Sequence, residues 1–138
     1  KKIKEYQLEE SVIYYGPMPA MRASAYFQSA DALYVSLEDS GFVGKTIPNK
    51  LIMSMAFAKP IIGMINGDGR KVINDADGGL VCPQQSADAL ATTIESFKAI
   101  SIDERKRLGN NNLAYYKMHF SLESVSRQIE VELMRKTR

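Results

Sequence analysis

The chain has 138 residues, of which 45% are hydrophobic and 25% charged, and its formal net charge is +2. This length suits one domain with a buried core, and the composition is that of a soluble globular protein. So small a net charge gives no support to a nucleic-acid partner held by electrostatics. The single cysteine, Cys82, excludes an internal disulfide and indicates a reducing compartment.

Strand and helix signals alternate along the first two thirds of the chain, which predicts an α/β fold with a parallel sheet and helices on both faces. The predicted strands, which would form a sheet of about four, are Val12–Tyr15, Ala32–Leu37, Ile61–Ile65 and Leu80–Cys82. The segment Ala32–Leu37 is almost continuously apolar, as expected for a buried central strand. Cys82 is predicted to be a buried strand residue and not a nucleophile.

The helices are predicted from helical spacing and from start signals. They cover Pro19–Ala30, residues 48–58, a stretch from the turn Asn66–Gly69 through Ile73, and three segments beginning at Ser86, Ser101 and Ser121. In the first helix, Met21, Ala25 and Tyr26 are expected to face the core. Ser86 is predicted as an N-cap, and Ser101 with Glu104 forms a capping box. The last helix, 121–138, carries an apolar stripe of Leu122, Val125, Ile129 and Leu133.

The most informative segment is Gly44–Ile62, whose first two residues also end a polar loop, Glu38–Lys45. It predicts a glycine-containing turn, a helix opening on Pro48, a stop at Lys59-Pro60 and then a strand. The apolar stripe of this helix comprises Leu51, Ile52, Met55 and Ala56. Its amino terminus faces the end of the strand Ala32–Leu37. Free backbone N–H groups and the positive end of the helix dipole meet there and suit an anion such as a nucleotide diphosphate.

The hexapeptide GFVGKT, residues 41–46, differs from a phosphate-binding P-loop by having Asp39 where that motif begins with glycine. A carboxylate there would repel phosphate, and Pro48 falls where a P-loop helix already donates N–H groups. An NTPase is therefore disfavoured. A mobile surface loop without a ligand is an alternative interpretation of the same residues.

The run TIPNKLIMSMAFAKPIIGMINGDG, followed by GGLVCP and SADALATTIESF, resembles the donor-binding C-terminal half of glycosyltransferase family 4. The similarity extends from about Val12 to about Phe120. It rests on an ordered series: Tyr15-Gly16, Ala30–Leu33, Thr46-Ile47-Pro48, Met55-Ala56, Lys59-Pro60, Gly79–Val81 and His119–Ser121. The resemblance implies a Rossmann-like domain of the two-domain GT-B fold. It also implies retaining sugar transfer from a nucleotide sugar, as in bacterial surface-polysaccharide synthesis.

The resemblance places the nucleotide-sugar site at Gly16, Gly44, Lys45, Thr46, Ile47, Pro48, Asn49, Lys50 and Met53. Gly16 would lie near the base. Two glutamates of the family loop correspond to Lys45 and Met53 here. Lys45 could meet the donor phosphates, whereas Met53 could not accept two hydrogen bonds from ribose and could instead be a core residue. The family's basic pair on the diphosphate has no convincing match in Lys1-Lys2-Ile3-Lys4.

No catalytic residue, metal or cofactor is expected in this stretch beyond the nucleotide diphosphate sugar itself. His119 is expected to be structural, and Asp75 and Asp77 are expected to belong to a turn and not to a cation site. A response-regulator receiver is disfavoured because no acidic pair follows the first strand.

We expect residues 1–138 to be a single nucleotide-sugar-binding domain excised from a longer two-domain enzyme, and inactive alone. A glycan or lipid-linked acceptor would bind through the missing N-terminal domain, with no nucleic-acid partner. The expected location is the cytoplasm, with peripheral contact at the inner face of the membrane. The missing glutamates keep one alternative open: a catalytically degenerate donor domain that serves as an interaction module.

Overall fold

A computed structural model describes residues 1–38, 41–83 and 85–136. In chain order the elements are α1 Lys2–Glu5, α2 Ala20–Ser29, β1 Leu33–Ser36, a 3₁₀ turn Val43–Lys45, α3 Asn49–Ala56, β2 Ile61–Met64, α4 Gly67–Asp75, β3 Gly79–Cys82, α5 Ala87–Lys98, α6 Ile102–His119 and α7 Leu122–Lys136. The strands predicted at 32–37, 61–65 and 80–82 are confirmed, and their ends differ by no more than two residues.

The described residues form a three-stranded parallel sheet in the order β1-β2-β3. The register aligns Leu33 with Ile61 and Ile61 with Gly79, so β2 is the central strand. Helices α3 and α4 contact the sheet, and so does α5 over β2 and β3. Along their strands, Ile62 and Cys82 alternate with the residues that face α3 and α4, so they lie on the other face of the sheet. Both are buried as well. Both faces are therefore covered, as the strand and helix alternation predicts.

The predicted strand Val12–Tyr15 is wrong. These residues lie outside the sheet, and Ile13 is 66% exposed. An apolar run becomes a strand only when it forms ladder hydrogen bonds with a neighbouring strand. Among the described residues, β1 pairs with β2 and not with this segment. The segment is held instead by a ring contact between Tyr15 and Tyr26, whose centroids are 4.7 Å apart.

Helix α2 is present, but its predicted inward face is also wrong. Met21 is 87% exposed, Ala25 is exposed and Tyr26 is half-buried. Without a paired strand before it, α2 is not a crossover between two strands of the sheet, so that face has no sheet to cover. The helix is attached through Phe27, whose ring meets that of Phe57 edge to face at 5.2 Å.

The main core lies between the sheet and the helices α3, α4 and α6. Its buried members are Val35, Leu51, Met55, Ile61, Ile65, Val72, Ile73 and Ala76. The α3 stripe is confirmed for Leu51 and Met55, whereas Ile52 is half-buried and Ala56 exposed. The predicted turn at Asn66–Gly69 is in fact the start of α4, which begins at Gly67 and carries Asp68 in its first turn, where a negative charge is favourable.

The predicted serine caps of the last helices are confirmed. The Oγ atoms of Ser86, Ser101 and Ser121 each accept a hydrogen bond, at 3.2 Å, from the backbone N–H three residues on. The α7 stripe, in contrast, is exposed along its length: Leu122, Val125, Ile129 and Leu133. The predicted last two residues of that helix, 137 and 138, lie outside the described part of the chain. None of the described helices combines the length and the apolar character that crossing a membrane requires.

Candidate functional site

The candidate site lies where the carboxyl ends of the parallel strands meet at one edge of the sheet. The loop after β1 leads to α3 there, the connection after β2 leads to α4, and β3 leads to α5. In open α/β sheets, ligands bind outside the carboxyl ends of the strands, because successive helix amino termini gather there. Of the predicted residues, 44–48 belong to the first of these connections, and 49 and 50 are the first two residues of α3.

The loop that carries these residues is anchored to the body of the domain. Ile47 packs against the core, and Gly44 is buried. The Lys45 N–H donates to the Phe42 carbonyl oxygen at 3.1 Å, which closes the 3₁₀ turn. This geometry is not that of a P-loop, since Pro48 is extended at φ −76° and ψ 142° and separates the loop from the helix. Asp39, which also argues against an NTPase, lies outside the described residues.

The amino terminus of α3 is suited to an anion. Pro48 occupies its N-cap position, and its carbonyl accepts from the N–H of Leu51 at 2.9 Å. Proline has no side chain that can cap a helix, in contrast to the serines before α5 and α6. The first helical amides, those of Asn49 and Lys50, have no intrahelical acceptor. Lys45 and Lys50, which precede and follow Pro48 in the sequence, are both exposed and add positive charge to this region.

Met53 lies on the exposed side of α3. Its side chain is 56% exposed, so the interpretation of Met53 as a core residue is wrong. The core contacts of this helix come from Leu51 and Met55 on the other side. A methionine at this position offers a ligand only a thioether, which is a weak acceptor. Whether a ribose lies against Met53 stays a prediction.

The amino terminus of α4 belongs to the same region, although the sequence interpretation did not include it. A Cβ atom added to Gly67 would lie 2.6 Å from both the Cα and the carbonyl oxygen of Lys45. The loop therefore rests on the first turn of α4. The sequence Asn66-Gly67-Asp68-Gly69 carries a signal for this contact, because its glycines permit close backbone approach, although the same residues are also typical of an ordinary turn.

Gly16 lies in the turn before α2, with a φ of +68° that favours glycine. Nothing lies within 4 Å of the position that a Cβ would occupy there, so the turn is open on that side. The ring of the preceding residue, Tyr15, contacts that of Tyr26 at a tilt of 37°. The position of Gly16 near a nucleobase stays a prediction.

The charged and aromatic contacts of α6 lie elsewhere. Arg107 donates a hydrogen bond to the Glu104 carboxylate at 2.7 Å and another to the Asp77 carboxylate. Asp77 lies in the turn before β3, so this contact is at the edge of the sheet opposite to the candidate site. The Arg107 hydrogen bond holds the pKa of the Glu104 carboxyl below its usual value. The His119 ring stacks on Tyr115 with centroids 4.2 Å apart. Among the described residues, no group of three or more histidine, cysteine or acidic side chains could hold a metal ion.

Comparison with known structures supports the fold. The chain matches a sucrose-phosphate synthase from Thermosynechococcus elongatus with a TM-score of 0.77 and 23% sequence identity, over 99% of this chain and 32% of that one. At this level of identity the likeness concerns the fold alone. It confirms the Rossmann-like parallel sheet with flanking helices, of the GT-B type, that the sequence predicts.

Two curated relatives are glycosyltransferases by name. "Putative colanic acid biosynthesis glycosyltransferase WcaL" of Salmonella typhimurium is 23% identical over 92% of this chain. "Probable glycosyltransferase WbjE" of Pseudomonas aeruginosa is 29% identical over 67% of it. The chain spans only 32% and 24% of the lengths of these two proteins. Residues 1–114 match the family model described as glycosyl transferases group 1. The chain therefore belongs to the glycosyl transferases group 1 family.

Proposed function

We propose that this chain is the donor-binding, C-terminal half of a retaining glycosyltransferase of family 4. The observation that carries the proposal is the amino terminus of α3, which has no side-chain cap. It follows an anchored loop, and the exposed lysines Lys45 and Lys50 stand on either side of Pro48 in the sequence. Family membership and the names of the two relatives support a nucleotide sugar as the ligand.

In this proposal the diphosphate of the donor lies at the start of α3. The amides of Asn49 and Lys50 donate to its oxygens, and the ammonium groups of Lys45 and Lys50 balance its charge. Ile47 holds the loop on the core, while Gly44, Thr46 and Pro48 shape it. The same groups would stabilise the negative charge that develops on the leaving nucleoside diphosphate during transfer. The proposal requires no metal and no cofactor.

In this proposal, Gly16 and Met53 contact the parts of the donor next to the diphosphate. Gly16 would allow the nucleobase to approach the backbone before α2. Met53 would face the ribose, where a charged acceptor would contribute ~1.5–3 kcal/mol more than methionine can. We therefore expect weak nucleotide binding by this chain.

The remaining parts of the proposed function concern the complete enzyme. The acceptor, a polysaccharide or lipid-linked glycan, would bind to an N-terminal domain, and transfer would take place in the cleft between the two halves. The isolated chain would then bind the donor without catalysing transfer. A cytoplasmic location with peripheral contact at the inner membrane face fits a cytosolic nucleotide-sugar pool.

The direct test is a titration of the isotope-labelled chain with UDP and, separately, GDP, followed by backbone amide shifts. We expect the shifts to concentrate at residues 44–50 and to weaken in Lys45→Ala. Lys71→Ala is the matched control, because Lys71 is an exposed lysine on α4. Shifts that cluster on α6 and α7 and spare residues 44–50 would refute the site.

A second candidate function is an interaction module derived from a donor domain. It is favoured by the lysine and methionine that replace the family's loop glutamates and by the exposed apolar stripe of α7. The same titration separates the two candidates. If no amide moves at saturating UDP or GDP, the degenerate module is supported and the donor half is not.

A further inference from the structure

The candidate donor loop approaches the backbone of α4 closely at Gly67. A Cβ atom added there would lie 2.6 Å from the Lys45 Cα, 2.6 Å from its carbonyl oxygen and 2.9 Å from its carbonyl carbon. All three neighbours are backbone atoms, which cannot turn aside as the end of a side chain can. Gly67 also has a φ of +57°, in the region that favours glycine.

The loop is thereby held from two sides. Ile47 packs into the core beneath it, and the backbone of Lys45 lies against the first turn of α4. Gly69, two residues further into α4, is buried against Ile65, whose terminal Cδ1 an added Cβ would meet at 2.4 Å. The backbone of Lys45 is therefore positioned by the first residue of α4, an element that contributes no residue to the site predicted from the sequence.

We propose that Gly67 is a positioning residue for nucleotide binding, acting through the backbone of Lys45. This inference rests on the proposed function. Any side chain at residue 67 would push Lys45 away by about 1 Å, because carbon atoms in contact are normally 3.5–4.0 Å apart. The displaced Lys45 and the start of α3 would no longer meet the diphosphate together. Displacements of this size can reduce the performance of a site by one to two orders of magnitude.

Three variants separate the close approach from other effects of losing a glycine. Gly67→Ala adds a Cβ and opposes the positive φ. Gly67→Asn adds a Cβ but tolerates that φ, since asparagine visits the left-handed region. Gly69→Ala is the matched control in the same helix, because its added Cβ meets the terminal Cδ1 of Ile65 at 2.4 Å and contacts the loop only at 3.3 Å.

For each variant we would record the amide spectrum of the nucleotide-free chain, the affinity for UDP and GDP, and the urea unfolding midpoint. We expect both Gly67 variants to shift the amides of Lys45–Ile47 and to weaken nucleotide binding about tenfold. Gly69→Ala should lower the unfolding midpoint while leaving the affinity unchanged. In the wild-type chain, nucleotide should shift the Gly67 amide together with that of Lys45, a readout that holds even if Gly67→Ala does not fold.

Several results would overturn the inference. Restoration of wild-type affinity in Gly67→Asn would show that the φ angle matters and the close approach does not. An equal loss of affinity in Gly69→Ala would indicate a general disturbance of α4, and a Gly67 amide that stays still while Lys45 shifts would remove the coupling. A wild-type chain that binds neither nucleotide would instead refute the proposed function, and the spectra of the nucleotide-free variants would still test the contact with Lys45.

Discussion

The side-chain Nδ2 of Asn112 on α6 donates a hydrogen bond to the Gly78 carbonyl oxygen at 2.6 Å, just before β3. The two residues fit so closely that a Cβ on Gly78 would lie 1.8 Å from the Asn112 Oδ1. The same Nδ2 donates to the Lys59 carbonyl oxygen at 2.8 Å, near the start of β2. One buried amide therefore joins α6 to the beginnings of two neighbouring strands.

We expect Asn112→Ala to lower the free energy of unfolding by ~1–3 kcal/mol, because the Lys59 carbonyl loses the Asn112 donor and the Gly78 carbonyl keeps the Ile61 N–H but loses its buried side-chain donor. Asn112→Asp should cost more, since a carboxylate cannot donate to either carbonyl and would be buried without a cation. Urea denaturation measures both. Asn110→Ala, at an exposed position of the same helix, is the control, and an equal effect of Asn110→Ala and Asn112→Ala would contradict the prediction.

Gly109 allows α6 to pass close to the end of α3. An added Cβ would lie 2.1 Å from the Ala58 carbonyl oxygen. In an exposed helix, Gly→Ala would gain about 1 kcal/mol from helix propensity. Here we expect Gly109→Ala to be destabilising by ~1–3 kcal/mol, because the neighbour is backbone and cannot move aside without shifting the chain. Thermal or urea unfolding decides the sign, and a stabilised variant would show that the two helices are further apart.

Met53→Glu tests the ribose-facing position. Because Met53 is 56% exposed, we expect the variant to fold normally. If a ribose lies there, the restored carboxylate should tighten UDP or GDP binding by roughly one to two powers of ten. Met21→Glu makes the same substitution at an exposed methionine of α2 and should leave affinity unchanged. Calorimetric titration gives both values; an unchanged affinity in Met53→Glu would remove Met53 from the site.

The partial burial of Tyr115 predicts that the protein loses stability at alkaline pH. Burial, and secondarily the charge of Asp75, raise the pKa of its hydroxyl above the usual value of 10.0. The folded state thus favours the neutral form, and the resulting stability is complete below the unfolded pKa and lost as the pH rises through the folded pKa. We expect the free energy of unfolding to fall above about pH 10 and to fall less steeply in Tyr115→Phe. Tyr14→Phe, at an exposed position, should retain the wild-type slope.

The features that were correctly predicted depend on residues close together in the chain. The strands β1, β2 and β3, the helix after Pro48 and the serine caps at Ser86, Ser101 and Ser121 follow from short apolar runs, helical spacing and side chains that reach amides three residues away. The suitability of the α3 amino terminus for an anion also follows from local sequence, because it arises from the helix itself, and anion binding there stays a prediction. The prediction that residues 44–50 belong to the site rests on these local signals and on the family resemblance, and it stays a prediction.

The features that were missed or wrong depend on partners remote in the chain. Val12–Tyr15 has a strand-like composition, yet pairing requires a neighbouring strand edge that its own residues do not specify. The stripes on α2 and α7 are amphipathic in sequence, but burial requires a surface to cover them. The contact of Gly67 with Lys45 brings together backbone atoms 22 positions apart (67 − 45). Local sequence determines which elements form, whereas packing between distant elements determines which faces are buried and where the loop before α3 lies.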